Sequence, residues 1–231
     1  MATGTTDVLA LIPPHTERLL ATARSLDDTA APSLCEGWSR GHVLSHVARN
    51  ADGLGGLVRA AVDGTGETMY PSPEARDADI EAGSGRTLAD LVDDVERTAA
   101  ALADQLPRLG PEHEGTRLER TPGVFLAPAE LLPLMRLREV VFHHVDLDAG
   151  FGFRDVEPDL VRLFLDEEVE RLRACDDAPD VTLATPDGDR WTIGRGTASV
   201  TATPAALLGW LARELTDGVA GTPLPRLPKG R

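Results

Sequence analysis

The helical spacing of apolar residues over the first 150 positions constrains the fold of this chain more than any other feature. Apolar side chains recur every three to four residues in four segments, the pattern of helices that bury one face. The first segment predicts a helix over Thr5–Leu26 that is broken at Pro13 and Pro14, because proline lacks the N–H that a helix needs. The second predicts a long helix that starts after a Ser39 cap and ends near Val62.

Two further helices complete this half of the chain. One is predicted over Leu88–Leu106 after a Thr87 cap, and the other over Ala127–Leu147. Residues 64–86 are rich in Gly, Pro, Glu and Asp, so we predict a functional or mobile loop there. Four antiparallel helices joined by loops form a bundle, which we assign to residues 1–150. The third helix is predicted to turn Leu91, Val95, Ala99 and Leu102 inward and Asp93, Asp94, Glu96 and Arg97 outward.

The sequence pattern changes after Gly150. A predicted helix over Glu157–Arg173 precedes short alternating strands at 181–185, 191–193 and 198–203, and a Pro-Asp-Gly turn separates the first two strands. A last helix is predicted over Ala205–Glu214 with Pro204 in its first turn, and the Pro-rich tail 222–231 should be extended. The chain is therefore predicted to be an α+β protein, a four-helix bundle over residues 1–150 followed by a small α/β domain over residues 151–231.

The net charge disfavours two kinds of partner, and the cysteine content indicates the compartment. The formal net charge is -15 at pH 7, which disfavours nucleic acid and anionic membranes, because both attract lysine and arginine clusters. Two cysteines, Cys35 and Cys175, are too few for a disulfide framework and fit a reducing compartment. We see no signal peptide and no apolar run of membrane-spanning length. We expect a cytoplasmic monomer that binds small molecules, with no nucleic-acid or membrane partner.

The residues with chemical potential are concentrated in two of the predicted helices. Glu139 and His143 are four residues apart, so they lie on one helix face and can bind one ion. His42 and His46 are also four apart, and His46 lies among apolar positions where a buried imidazole needs a partner. A helix-stabilising Glu/His pair and a core hydrogen bond are the ordinary explanations. Together, two histidines and one carboxylate on facing helices supply the three protein ligands of a catalytic zinc site.

At three places the sequence resembles the mycothiol-dependent maleylpyruvate isomerases. Residues 36–51 (EGWSRGHVLSHVARNA), 69–76 (MYPSPEAR) and 138–147 (REVVFHHVDL) are similar to the first, second and third motifs of that family. Many DinB-like relatives of diverse activity share the first and third motifs, whereas the second is more specific. The resemblance implies a DinB-like four-helix bundle joined to a small C-terminal domain similar to sterol carrier protein.

The resemblance also implies roles for individual residues. His46, Glu139 and His143 match the positions that bind zinc in the family, and Arg76 matches an arginine near the active site. Arg213, in the last predicted helix, is our candidate for binding the cofactor.

Four nearby residues do not match a ligand position, and their roles are less defined. His42 is either a polar group of the first helical turn or a substrate contact, and His144 either supports the ligands or is exposed. Asp146 either orients a ligand or caps the helix end. Cys35 is interpreted as structural, because nothing nearby marks it as an activated nucleophile.

The reaction that the resemblance implies is the zinc- and mycothiol-dependent isomerisation of maleylpyruvate to fumarylpyruvate in gentisate-type aromatic catabolism. A thiolate adds to the conjugated cis double bond, the resulting single bond rotates, and elimination of the thiol leaves the trans isomer. Arg76 would bind substrate carboxylate or enolate charge. Two alternatives stay open: an S-transferase that joins mycothiol or another small thiol to electrophiles, and a non-catalytic metal- or ligand-binding module.

Overall fold

The structure is a computed structural model that describes residues 5–221 and 223–228. The chain divides between Gly150 and Phe151 into two compact units. Helices dominate the first unit, and a mixed sheet lies between helices in the sequence of the second, so the predicted α+β class is confirmed. The first unit contains α1 (Thr5–Arg24), α2 (Arg40–Asp63), α3 (Pro73–Ser84), α4 (Leu88–Gln105), β1 (Arg117–Thr121), β2 (Val124–Pro128) and α5 (Leu132–Asp146). The second contains α6 (Pro158–Arg173), β3 (Val181–Ala184), β4 (Arg190–Ile193), β5 (Ala198–Thr201) and α7 (Pro204–Arg213).

Four of the helices form a closed bundle. Helix α1 packs on α4 and α5, and α2 packs on the same two helices, so that each member has two neighbours in the ring. The interior is apolar, because each helix turns a stripe of Leu, Val and Ala inward. Its fully buried members include Leu19 in α1, Leu44 and Val47 in α2, Val95 in α4 and Val140 in α5.

Helix α1 differs from its prediction. It runs from Thr5 to Arg24 without interruption, with Pro13 and Pro14 inside it. A proline in a helix interior costs about 3 kcal/mol. Burial of the apolar face, where Leu19 and Leu20 are almost fully enclosed, offsets that cost. The prediction of a broken helix was therefore wrong because tertiary packing outweighs the local preference of proline.

Two elements were not predicted from the sequence. Helix α3 begins inside the segment interpreted as a loop, where the Ser72 hydroxyl accepts a hydrogen bond from Ala75 N–H and Pro73 occupies the first turn. The hairpin of β1 and β2 lies mostly in the unassigned segment between the third and fourth predicted helices, and it includes Ala127 and Pro128, the first two residues predicted as helical. The fourth helix begins at Leu132 instead. Irregular register in this hairpin, with shifts around Glu119, conceals the alternation that identifies strands.

Asp94 is another correction, since it was predicted to face outward and is buried. Its carboxylate receives Arg49 from α2 at 2.7 Å, Arg86 at 2.9 Å and Arg97 at 2.5 Å. Three guanidinium groups supply the compensation that a buried carboxylate needs. The ion pair with Arg49 joins α4 to α2, the helix that carries His46.

Helices α2 and α3 approach closely at two glycines. A Cβ atom on Gly41 would lie 2.2 Å from the Ser84 carbonyl oxygen, and one on Gly83 would lie 2.2 Å from Ser45 Oγ. Ser45 also donates a hydrogen bond to the Ile80 carbonyl at 3.0 Å. This contact positions α3, and with it Arg76, against the helix that carries His46.

We expect Gly41→Ala to destabilise the protein by about 1–3 kcal/mol, because a methyl group here collides with backbone that cannot yield without moving α3. Urea unfolding measures the loss. Gly85→Ala is the matched control, since its backbone has φ -89° and a Cβ there meets nothing within 4 Å. Equal stability of the two variants would contradict the tight contact.

The second unit follows its prediction closely. Strand β3 pairs antiparallel with β4 and parallel with β5, and Leu183 lies between Trp191 and Val200 in the register. Thr203 caps α7 by accepting a hydrogen bond from Ala206 N–H. Thr222 and residues 229–231 of the predicted extended tail lie outside the described residues, and positions 223–228 form no helix or strand. Among the described residues, no helix is long and apolar enough to cross a membrane.

Candidate metal centre

The structure brings His46, Glu139 and His143 together between α2 and α5. His46 Nε2 lies 2.9 Å from Glu139 Oε2, and His143 Nε2 lies 3.3 Å from the same oxygen. The two imidazole rings meet edge to face, with centroids 4.5 Å apart. His46 is 5% exposed. The two nitrogens and the carboxylate oxygen therefore converge on one point in a partly buried part of the bundle, where the side chain of Glu139 is 30% exposed.

This donor set fits a divalent ion such as zinc. One donor atom from each residue lies within 4.8 Å of the others. Donors bound at about 2.0–2.1 Å to one tetrahedral ion are about 3.3 Å apart, close to the spacings seen here. Two imidazoles and one carboxylate also leave one position for a water or a ligand, as catalytic zinc sites require. The metal-binding role of these residues stays a prediction that the geometry supports.

Burial and the contacts within the cluster shift the pKa values of all three candidate ligands. Burial and the nearby His143 lower the pKa of His46. Burial would raise the pKa of Glu139, but hydrogen bonds from His143 and His46 outweigh it and hold that pKa well below the usual range. Burial would lower the pKa of His143, but Asp146, Cys35 and Glu139 outweigh it and raise that pKa well above 6.5. Without a metal ion, these shifts favour the ionised form of Glu139 and the protonated form of His143.

We expect divalent-metal binding to release about one proton, because His143 must give up its proton before it can bind an ion. The sign follows from the raised pKa of His143, since protons compete with the metal below that pKa. Apparent affinity should therefore rise with pH, by up to about tenfold per pH unit. Calorimetric titration with Co²⁺ in two buffers of different ionisation enthalpy counts the protons. Metal binding without proton release would show that His143 is neutral or is not a ligand.

Asp146 and Cys35 surround the far side of the His143 ring. Asp146 is fully buried, and its Oδ2 lies 2.8 Å from His143 Nδ1. The Cys35 thiol donates to the same carboxylate at 3.2 Å. These three residues also have donor atoms within 4.8 Å of one another, but they share His143 with the first cluster. Of the two roles considered for Asp146, orientation of a ligand histidine is the one that this contact favours.

Arg76 lies beside the cluster, held between two aromatic rings. Its guanidinium carbon is 5.8 Å from the Trp38 ring and 5.9 Å from the Tyr70 ring, and it forms an ion pair with Asp77 at 2.7 Å. Its Nη2 lies 3.5 Å from His46 Nδ1. A cavity of about 210 Å³ opens next to it and is lined by Arg49 and Tyr70 and also by three carboxylates, Asp52, Glu67 and Asp79. The arginine thus places a positive charge beside His46 and at the wall of this cavity.

Three other candidate residues lie apart from this cluster or have local roles. His42 belongs to the cap of α2, where its Nδ1 accepts from Ser39 N–H, and its Nε2 lies 3.0 Å from Glu81. His144 is buried with its Nε2 2.7 Å from Thr22 Oγ1 in α1, so the exposed alternative was wrong. Arg213 is the last residue of α7 in the second unit, and its Nη1 donates to the Ala212 carbonyl. Its cofactor-binding role stays a prediction.

Sequence reasoning missed three residues that shape the site. Trp38 and Tyr70 lie within the quoted motifs, but their spacing alone did not show that they enclose Arg76. Tyr70 is placed by the unpredicted hairpin, because its backbone N–H donates to the Arg120 carbonyl at 2.8 Å. Arg136 was missed because an arginine on a helix normally reaches solvent, whereas this one is 1% exposed.

Fold and site together define a four-helix bundle with a two-histidine, one-carboxylate cluster between two of its helices, joined to a small α+β unit. Residues 13–148 match the family model described as the mycothiol maleylpyruvate isomerase N-terminal domain, and the chain belongs to this family. No curated protein sequence matches the chain.

Two solved structures are similar to the whole chain. One is the crystal structure of the mycothiol-dependent maleylpyruvate isomerase, and the other is a histidine-to-alanine mutant of that enzyme. Each is 27% identical, covers 98% of this chain and 99% of its own, and has a TM-score of 0.88. The similarity therefore extends through both units and includes the fold of the second, which the family model does not reach.

Proposed function

We propose that this chain is a mycothiol-dependent isomerase that converts maleylpyruvate to fumarylpyruvate in the cytoplasm, with a divalent metal, zinc, bound by His46, Glu139 and His143. The observation that supports this most is the convergence of those three side chains, with the Arg76 guanidinium 3.5 Å from the His46 ring. The family to which the chain belongs, and the enzymes that its solved relatives represent, supply the reaction and the thiol.

The metal would give the reaction a stabilised thiolate, which adds reversibly to a conjugated double bond and so permits rotation about it. The chain's own contribution is to hold three donors in place before the ion binds. Glu139 contacts both histidines, and Asp146 lies against Nδ1 of His143, so that its Nε2 faces the cluster. This preorganisation lowers the cost of assembling the site.

Arg76 would bind and orient the substrate. Maleylpyruvate carries carboxylates, and negative charge builds up on its carbonyl oxygen as the thiolate adds. A planar guanidinium donates two parallel hydrogen bonds to a carboxylate, or a charge-assisted hydrogen bond to the developing enolate oxygen. Trp38 and Tyr70 flank that guanidinium at the edge of the 210 Å³ cavity, and because its side chain is only 19% exposed, its charge is screened less than that of a surface arginine. We also propose Arg213 as a contact for the thiol cofactor.

The test is to incubate zinc-loaded protein with maleylpyruvate, with and without mycothiol, and to follow fumarylpyruvate by chromatography. Thiol-dependent isomerisation, with the thiol recovered unchanged, supports the proposal. Consumption of the thiol into a stable adduct would identify an S-transferase instead. A metal-loaded protein that shows neither reaction would overturn the proposal of an enzyme acting on this substrate.

A further inference from the structure

Arg136 is a buried cation for which the reaction above has no use. It lies in α5, is 1% exposed, and contacts α2 through one nitrogen. Its Nη1 donates to the Val47 carbonyl at 3.0 Å and to Asn50 Oδ1 at 2.9 Å. Its Nη2 is buried and has no hydrogen-bond partner in the described part of the chain. One side chain thus links the two helices that carry all three candidate ligands.

The position of this link along the helices matters. Arg136 is three residues before Glu139, about one turn away in α5. In α2, Val47 directly follows His46, and Asn50 lies one turn after it. The bonds therefore join α5 to α2 within one turn of the place where His46 meets Glu139. A slide or rotation of either helix that separated those two ligands would also break the bonds of Arg136.

Burial of this guanidinium is costly. Arg136 forms no ion pair with a carboxylate of residues 5–221 and 223–228, and complete burial lowers its pKa to about 10, an effect that the charges of Glu139 and Asp52 only partly offset. A buried charge without an ionic partner costs several kcal/mol, and an apolar residue of similar size would often be more stable. Stability alone therefore gives no reason for an arginine here, whereas a requirement for defined helix register does.

We propose that Arg136 is a positioning residue of the metal centre, a guanidinium cross-link that sets the register of α5 against α2 so that Glu139 and His46 bind the same ion. This inference deepens the proposed function and rests on its metal site. It requires nothing of the substrate or thiol.

The test measures Co²⁺ binding to the full chain by chelator competition and records the visible absorption of bound Co²⁺. Arg136→Met keeps about the same volume and removes the bonds, whereas Arg136→Lys keeps the charge and one donor nitrogen. We expect Arg136→Met to bind Co²⁺ about 10–100-fold more weakly, with a changed absorption spectrum, as losses of groups supporting a metal site typically do, and Arg136→Lys to lose less. Wild-type affinity and spectrum in folded Arg136→Met would overturn the proposal.

Two further variants separate positioning from general stability. Leu102→Ala removes a buried side chain from α4, which supplies no candidate ligand, so it should lower Tm and leave Co²⁺ affinity unchanged. An equal loss of affinity in this variant would show that any destabilisation has the same effect, against the proposal. If Arg136→Met does not fold, Asn50→Ala replaces it in the test, because it removes the hydrogen bond from Arg136 to Asn50 and leaves the arginine in place. We expect this variant to bind Co²⁺ about tenfold more weakly. Unchanged affinity in Asn50→Ala would overturn the inference. Failure of the wild-type chain to bind Co²⁺ would instead overturn the metal site of the proposed function.

Discussion

His46→Ala should lose stoichiometric zinc and reduce thiol-dependent isomerisation by at least about 10³-fold. His46 supplies the one ligand from α2, so its removal leaves Glu139 and His143 on a single helix. Two ligands do not complete a catalytic zinc site, which takes three from the protein. A bound metal contributes several kcal/mol to such reactions, and about 1.4 kcal/mol corresponds to tenfold in rate. Elemental mass spectrometry measures the zinc content of the variant, and the rate of fumarylpyruvate formation measures its activity.

The matched control is His42→Gln, one turn earlier in the same helix. His42 belongs to the α2 cap, where glutamine also forms a capping box, so this variant should keep its zinc and its activity. Full zinc occupancy in His46→Ala would mean that the ion binds elsewhere. Retained zinc with lost activity would mean that His46 acts on the substrate instead of the metal.

The candidate ligands were predictable from the sequence because helical geometry is regular. A spacing of four puts Glu139 and His143 on one face wherever the helix lies, and the apolar neighbours of His46 indicate that it faces the core. The arrangement between helices was not predictable in this way. Arg76 is carried by α3, and the start of that helix at Ser72 and Pro73 lies within a segment whose Gly and Pro content indicates a loop.

The misses have a common physical origin in tertiary packing. Asp94 resembles a surface residue by position, but Arg49 from α2 and Arg86 join its helical neighbour Arg97 to compensate its charge in the fold. Arg136 likewise resembles an exposed helical arginine until the α2 carbonyl that it reaches is known. Local patterns give the elements and their buried faces, whereas long-range polar contacts decide which charged residues are inside.

The family resemblance and the geometry around Arg76 support the same prediction, that this arginine acts next to the metal centre. Arg76 lies in the segment that was predicted to be a functional or mobile loop, yet its side chain is 19% exposed and lies near the rings of both Trp38 and Tyr70. An arginine with only a structural role would be expected to form an ion pair with a carboxylate that fixes its position. The Asp77 partner is itself 67% exposed and adjacent in sequence, so it contributes little to placement. The two rings instead flank the guanidinium beside His46 and the cavity.

We therefore expect Arg76→Gln to lower kcat/KM for isomerisation by about 10²–10³-fold, the usual loss when one donor to developing negative charge is removed. Arg76→Lys should recover only part of this, because an ammonium group keeps the charge but loses the planar fork of donors. Both variants should keep their zinc, which separates this defect from that of His46→Ala. Arg24→Gln, at an exposed ion pair with Glu96, controls for loss of a surface guanidinium. If Arg76→Gln matched Arg24→Gln in kcat/KM, the guanidinium would have no part in the reaction, and its position beside His46 would be structural.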